Sequence, residues 1–198
     1  MSDILYYLLE MIPVMIIAIP FVVYLRFKSR KRKGNPPTNR WHEIGLLFFS
    51  VYVIGLFYET IVPRNGMSLQ NFQMRFQEDI ILGVNLKLFQ VFTDVYNAIH
   101  YLDLWQPFFI NFLGNIAIFM PIGFLLPLLW HKMEMFPYVF ITALSLSVFI
   151  ETIQLPQMRS TDVDDLWLNT LGSVLGYLVY KGIKKWIPLI GSKCKQIV

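Results

Sequence analysis

The sequence predicts an all-α fold, a polytopic membrane helix bundle of about five transmembrane helices with an interfacial or re-entrant outer segment, and three observations predict it. The first is composition: 56% hydrophobic side chains, 15% charged ones and a mean hydropathy of +0.52 lie far outside the usual range of soluble domains. The second is that five apolar segments can be marked, Ile4 to Leu25, Ile44 to Val62, Phe108 to Trp130, Pro137 to Leu155 and Val163 to Tyr180. Each approaches the roughly 17 to 25 residues that a bilayer core requires. The third is the sorting of charge between the segments that join them.

Lysine and arginine accumulate on the cytoplasmic side of a membrane. Arg26, Lys28, Arg30, Lys31, Arg32, Lys33 and Arg40 follow the first segment, Lys132 lies in the turn after the third, and Lys181, Lys184, Lys185, Lys193 and Lys195 end the chain. These are thirteen of the 17 basic residues. The opposite side keeps Arg64, Arg75, Lys87 and Arg159 together with every acid except Glu43 and Glu134. The expected topology therefore has the N-terminus outside, five crossings and a cytoplasmic C-terminus. The pI near 9.1 does not point to nucleic acid, because its excess is inner-leaflet charge of the kind that anionic lipid headgroups attract.

In chain order, the first segment is expected to be a retained helix and not a signal peptide, since its positive charge follows the apolar run and no small-residue cleavage site appears. Pro13 and Pro20 bend it, and Glu10 lies about two turns below the outer surface. The second helix ends in Glu59, Thr60, Pro63 and Arg64. The outer segment 64–107, about 45 residues, is too long for a turn and too apolar for a linker. Its apolar spacing predicts short amphipathic helices in the outer interface, or one re-entrant piece.

The third helix places Asn111 and Asn115 four residues apart, and so on one face, in its first two turns. Pro121, Pro127, Gly114 and Gly123 then allow bending and close approach. The fourth helix reaches Glu151 and Gln154 only at its outer end. The fifth begins near Asp162, which suits an N-cap, with Asp164 and Asp165 at the positive end of the helix dipole. Asp162, Asp165, Asn169, Gly172 and Gly176 follow one another at intervals of three, four, three and four, a single stripe. Gly172 and Gly176 form a small-xxx-small contact motif, so the stripe faces another helix and carries Asp165 and Asn169 into the bundle.

The candidate ligand-binding residues are Glu59, Arg64, Asn111, Asn115, Glu151, Gln154, Arg159, Asp162, Asp164, Asp165 and Asn169, all placed near the outer leaflet by the charge argument. Read one at a time, they are helix caps and interhelical hydrogen bonds. Read together they are costly: a hydrogen bond between membrane helices contributes about 0.6 kcal/mol on average, while desolvating a carboxylate costs several. Carboxylates with amide oxygens suit a divalent cation, with Glu151, Asp162 and Asp165 as its ligands, or the cationic part of a ligand, and Arg159 suits a phosphate or carboxylate. Neighbouring carboxylates would also serve as acid and base on a lipid headgroup. No His or Cys nucleophile arrangement favours catalysis, His100 reads as a surface residue, and the single cysteine, Cys194, excludes an intramolecular disulfide and a thiolate metal site.

These residues resemble the core pattern of VanZ-like membrane proteins. The resemblance runs from about Glu43 to Tyr180 and rests on Thr60, Pro63 and Arg64, on Asn111, Asn115, Phe119, Pro121, Gly123 and Pro127, on Glu151 and Gln154, and on Arg159, Asp162, Asp164, Asp165, Asn169, Gly172 and Gly176. In the outer segment Asn85, Leu86 and Phe89 fit the family's Asn-Leu-x-Pro-Phe stretch, but Leu88 stands where proline is expected. The resemblance implies a bacterial plasma-membrane protein of a family whose name-giving members are associated with resistance to the glycopeptide teicoplanin.

The expected organisation is an N-terminal helix and basic loop over 1–40, a VanZ-like membrane core over 41–182 and a basic tail over 183–198. Three functions stay open at this stage. An acidic outward-facing groove would bind a lipoglycopeptide antibiotic, a membrane lipid or a lipid-linked cell-wall precursor. An intramembrane enzyme, metal-dependent or not, would act on a lipid-linked precursor. A structural partner of another envelope protein would need only the helix contacts.

Overall fold

A computed structural model describes residues 2–33, 39–61, 84–85, 87–105, 108–154, 161–188 and 194. The expectations for Arg64, Arg159 and the first part of the outer segment lie outside them. The chain forms α1 (Ser2–Lys33), α2 (Arg40–Ile61), a two-residue strand β1 (Val84–Asn85), α3 (Gln90–Leu102), a π-helical stretch Phe108–Gly114 that runs into α4 (Asn115–Leu129), a 3₁₀ turn His131–Glu134, α5 (Phe136–Gln154), a second two-residue strand β2 (Thr161–Asp162) and α6 (Val163–Trp186). The fold is the helical membrane bundle that the apolar segments predict. One local feature the sequence does not announce is the parallel pairing of Val84 with Thr161 and Asn85 with Asp162.

Helices Met11–Ser29, Arg40–Ile61, Asn111–Leu129 and Phe136–Gln154 are each long and apolar enough to cross a membrane. The fifth expected span, α6, has 24 residues, about 36 Å of helix, which is ample length. It falls below the apolarity of the other four because it carries Asp164, Asn169, Thr170 and Ser173. All four are buried, while Leu175, Leu178 and Val179 are turned outward, ahead of the exposed Lys181 and Lys185 at its basic end. Its polarity is thus directed into the bundle, which is the arrangement hydrocarbon demands of a polar helix.

Along the chain, the long helices alternate in direction. Arg26 of α1 holds Glu43 of α2 through a forked pair at 2.8 Å, while Met15 of α1 lies against Gly55 of α2, so α1 and α2 are antiparallel. Tyr52 of α2 donates to the Ile118 carbonyl of α4, and Gly45 lies against Leu129, which makes that pair antiparallel too. Met11, Tyr52, Leu56, Phe119, Ile122, Leu126, Val139, Ile150 and Tyr177 join all five long helices in one apolar core.

The closest packing is between α4 and α6, which run parallel. A Cβ added at Gly172 would strike the Ile116 carbonyl, one at Gly176 the Met120 carbonyl, and one at Gly123 the Ser173 carbonyl. Glycines on each helix therefore let the backbone of the other approach, as a small-residue stripe requires. Pro121 removes the N–H that would bond the Ala117 carbonyl and loosens the turn around it. The carbonyls of Ile118 and Phe119 in that turn accept hydrogen bonds from Tyr52 and from Ser173 Oγ.

This alternation gives the bundle two unlike ends. The end where α2 and α5 finish and α4 and α6 begin gathers Glu59, Asn115, Glu151, Gln154, Asp164 and Asp165. The other end exposes Arg40, Lys132, Lys181 and Lys185. There Glu134 accepts from Tyr180 at 2.8 Å and pairs with Lys184 at 2.6 Å, and its carbonyl accepts from Tyr177 at 2.7 Å, so the 3₁₀ turn is fastened to α6. Buried His42 meets the Cys194 carbonyl at 2.8 Å, and burial pushes the Cys194 thiol pKa above its ordinary value.

The glycine contact predicts opposite signs for two alanine substitutions. Gly172→Ala must push α4 and α6 apart and is expected to lower the thermal unfolding temperature of the detergent-purified protein, at a cost of about 1–3 kcal/mol. Gly182→Ala, whose Cβ would meet nothing within 4 Å, is expected to be neutral or stabilising through helix propensity. Equal shifts in the two variants would contradict the packing account.

Candidate functional site

The polar end is assembled by four helix termini, and each side chain arrives by the phase of its own helix. On α2, Glu59 is 8% exposed, and Thr60 lies beside it with its hydroxyl on the Leu56 carbonyl. On α5, Glu151 is 5% exposed, and Gln154, three residues further along the same face, donates to the Thr60 carbonyl at 2.6 Å. That bond ties the end of α5 to the end of α2, and it satisfies a carbonyl of the last helical turn that has no partner within the helix.

Across the bundle, Asn115 at the start of α4 donates from Nδ2 to Asp165 Oδ1 on α6. One turn further along α6, Asn169 donates to Ser147 Oγ of α5 at 3.0 Å, and both side chains are buried. The stripe on α6 thus divides: Asp165, Gly172 and Gly176 meet α4, whereas Asn169 turns to α5. Asn111 lies one turn before Asn115, in the π-helical stretch, and its side chain is exposed where that of Asn115 is half-buried.

Asp164 occupies a position of a different kind. It is 1% exposed, and its two oxygens accept from the backbone N–H groups of Phe89 at 2.6 Å and Val91 at 2.7 Å and from the Trp167 indole at 2.7 Å. Phe89 is the N-cap of α3, offers no side-chain oxygen of its own and has a left-handed backbone with φ 66. That conformation is uncommon in a non-glycine residue, and here it belongs to a loop whose two N–H groups converge on one carboxylate. Asp164 therefore caps α3 from another helix, with the charge placed favourably at the positive end of the α3 dipole. These contacts hold the start of α3 to α6.

Around this tie lies an aromatic wall. Trp167 stacks on Phe92 at 5.8 Å and meets Phe89 edge-on at 5.6 Å, while Phe92 lies 5.6 Å from Phe112. Phe89 and Phe92 remain about half exposed. α3 is amphipathic, with exposed Thr93, Asp94, Asn97 and His100 along one side and Val91, Val95 and Ala98 turned in, as an interfacial helix of the outer segment requires. His100 is exposed and stacks on Tyr96 at 5.2 Å.

Glu59, Asn115, Glu151, Gln154, Asp164, Asp165 and Asn169 are thus brought to one end. Asn111 lies at the same end but is exposed, Arg64 and Arg159 lie outside the described residues, and Asp162 is described only through its backbone pairing with Asn85. Among the described residues no three His, Cys, Asp or Glu side chains form a group able to hold a metal ion, so the divalent-cation reading draws no support from them. Ser147 and Trp167 join the site without having been marked in the sequence, and Thr60, marked there as part of the family pattern, joins it through its carbonyl. Nothing in the sequence announces the tie, because the start of α3 at Gln90 and its lack of a capping side chain emerge only with the helix itself.

The sequence model of a family described as VanZ/LLP1 matches residues 49–186, a stretch that includes every candidate residue above. No curated protein and no solved structure matches the chain.

The cap predicts a local effect. Asp164→Ala is expected to release α3, raising the hydrogen-exchange rates of the Phe89 and Val91 amides by about 10- to 100-fold, the equivalent of the 1.5–3 kcal/mol typical of hydrogen bonds to a charged group. Asp165→Ala should leave those two amides protected; unaltered exchange in Asp164→Ala would remove the cap from the account.

Proposed function

Because this chain belongs to the VanZ/LLP1 family, we propose that it is a bacterial plasma-membrane protein whose acidic end faces outward and binds an amphiphilic envelope ligand. The ligand is a teicoplanin-type lipoglycopeptide or a lipid-linked cell-wall precursor, and binding it is how the protein contributes to drug resistance. In this reading the N-terminus is outside and the C-terminus cytoplasmic. The exposed Arg40, Lys132, Lys181 and Lys185 support that orientation, since they share the end of the bundle that the positive-inside rule assigns to the cytoplasm.

The observation that carries the reading is the gathering of Glu59, Glu151 and Asp165 at the opposite end, two of them less than a tenth exposed. Hydrogen bonding between helices needs no carboxylates, because amides and hydroxyls serve at a smaller desolvation cost. Carboxylates at one depth attract a cation, and the exposed apolar sides of α3 and the half-exposed Phe89 and Phe92 beside them suit the acyl or ring portion of an amphiphile. A lipoglycopeptide offers both parts, a basic amine and an acyl chain.

Asp165→Asn tests this directly, because asparagine keeps an oxygen for the Asn115 amide while removing the charge. In cells that depend on this protein for teicoplanin protection, Asp165→Asn is expected to return susceptibility to that of cells lacking it, at unchanged membrane abundance, with purified protein binding the drug about 10- to 100-fold more weakly. Full protection by the variant would exclude the acidic site.

A further inference from the structure

Asn169 is 4% exposed and only half of its amide is used: Nδ2 donates to Ser147 Oγ at 3.0 Å, whereas Oδ1 meets no donor. A buried acceptor without a donor is uncommon and destabilising, so its presence asks for a ligand or a bound polar group. Its place is informative. Asn169 lies one turn inward of Asp165 on α6, about 6 Å by helical rise. Its partner Ser147 lies one turn inward of Glu151 on α5. The unfilled oxygen therefore lies by the α5–α6 contact, one helical turn inward of Glu151 along α5 and of Asp165 along α6. The neighbouring hydroxyls on α6 do not compete for it, since Thr170 donates to the Leu166 carbonyl at 2.7 Å and Ser173 to the Phe119 carbonyl at 3.1 Å.

Resting on the acidic-site reading above, we infer that Asn169 is the innermost ligand contact and the residue that sets the ligand's chemical class: a protonated primary or secondary amine carried on a narrow alkyl tip. The carboxylates call for positive charge, and the amide oxygen calls for an N–H. An ammonium group supplies both at once, because its several donors can be shared between a carbonyl oxygen and carboxylates. A quaternary ammonium brings the charge without a donor and leaves Oδ1 unfilled. An alcohol brings the donor without the charge. The depth of Asn169 below Asp165 requires a tip that reaches about one helical turn past the rim.

The test compares n-octylamine with n-octyltrimethylammonium on the full chain in phosphatidylcholine nanodiscs, by isothermal titration calorimetry. Wild-type protein is expected to bind the primary amine at least about tenfold more tightly, as a site that must satisfy a buried polar group discriminates against an analogue lacking the donor. In Asn169→Leu, similar in size and free of the unfilled oxygen, the preference should shrink to about threefold or less while the unfolding temperature stays at or above that of the wild type. Asp165→Asn should weaken both cations. Equal wild-type affinity for the two probes overturns the role of Asn169 and leaves the acidic site standing. Binding of neither overturns both. Should Asn169→Leu fold poorly, the comparison of the two probes on wild-type protein decides alone.

Discussion

The approach of α4 and α6, glycine against carbonyl, sets the geometry on which the rest of the bundle depends. Gly123, Gly172 and Gly176 bring two parallel backbones together where any Cβ would hold them apart. At that separation Asn115 can reach Asp165, and Ser173 can reach the Phe119 carbonyl. Hydrocarbon gives helices no hydrophobic reason to associate, so close packing and interhelical hydrogen bonds must do it, and both are concentrated on this pair. The polar groups of α6 are tolerable in a membrane because the contact closes over them.

The two ends of the bundle are fastened by different chemistry. At the basic end the pairs are complete: Arg26 with Glu43, and Glu134 with Lys184 and Tyr180, each acid lying within hydrogen-bonding distance of its cation. At the acidic end the ties between helices use amides and backbone, Gln154 to the Thr60 carbonyl and Asp164 to the N-terminus of α3. Asp164 separates two roles that the acids of α6 would otherwise share, since it fastens the outer segment while Asp165 remains half-buried beside Asn115.

Much of this was legible in the sequence. Apolar length and hydropathy marked the helices, and the spacing of Gly172 and Gly176 marked the face of α6 that meets a neighbour. The same spacing turned Asn169 into the bundle, where it is buried, but a stripe drawn on one helix does not say which of two neighbours each residue meets; Asn169 meets Ser147 of α5. The π-helical stretch that carries Asn111 is not visible in a four-residue interval, nor is its exposure beside the half-buried Asn115. The Asp164 cap joins residues 75 apart in the chain, and no local pattern encodes a partner at that distance. The VanZ/LLP1 match spans these contacts, which identifies the family and leaves the division of labour among its acids to be read from geometry.

The account depends on the acidic end lying on the outer side of the membrane, and the lone cysteine of the chain makes that measurable. In a Cys194→Ser background, Thr93→Cys on the exposed side of α3 and Lys185→Cys at the basic end would be treated with a membrane-impermeant maleimide in intact cells. The account predicts that the first variant is labelled in intact cells and the second only after permeabilisation. The reverse pattern would put the carboxylates in the cytoplasm and contradict a site for an external or outer-leaflet ligand.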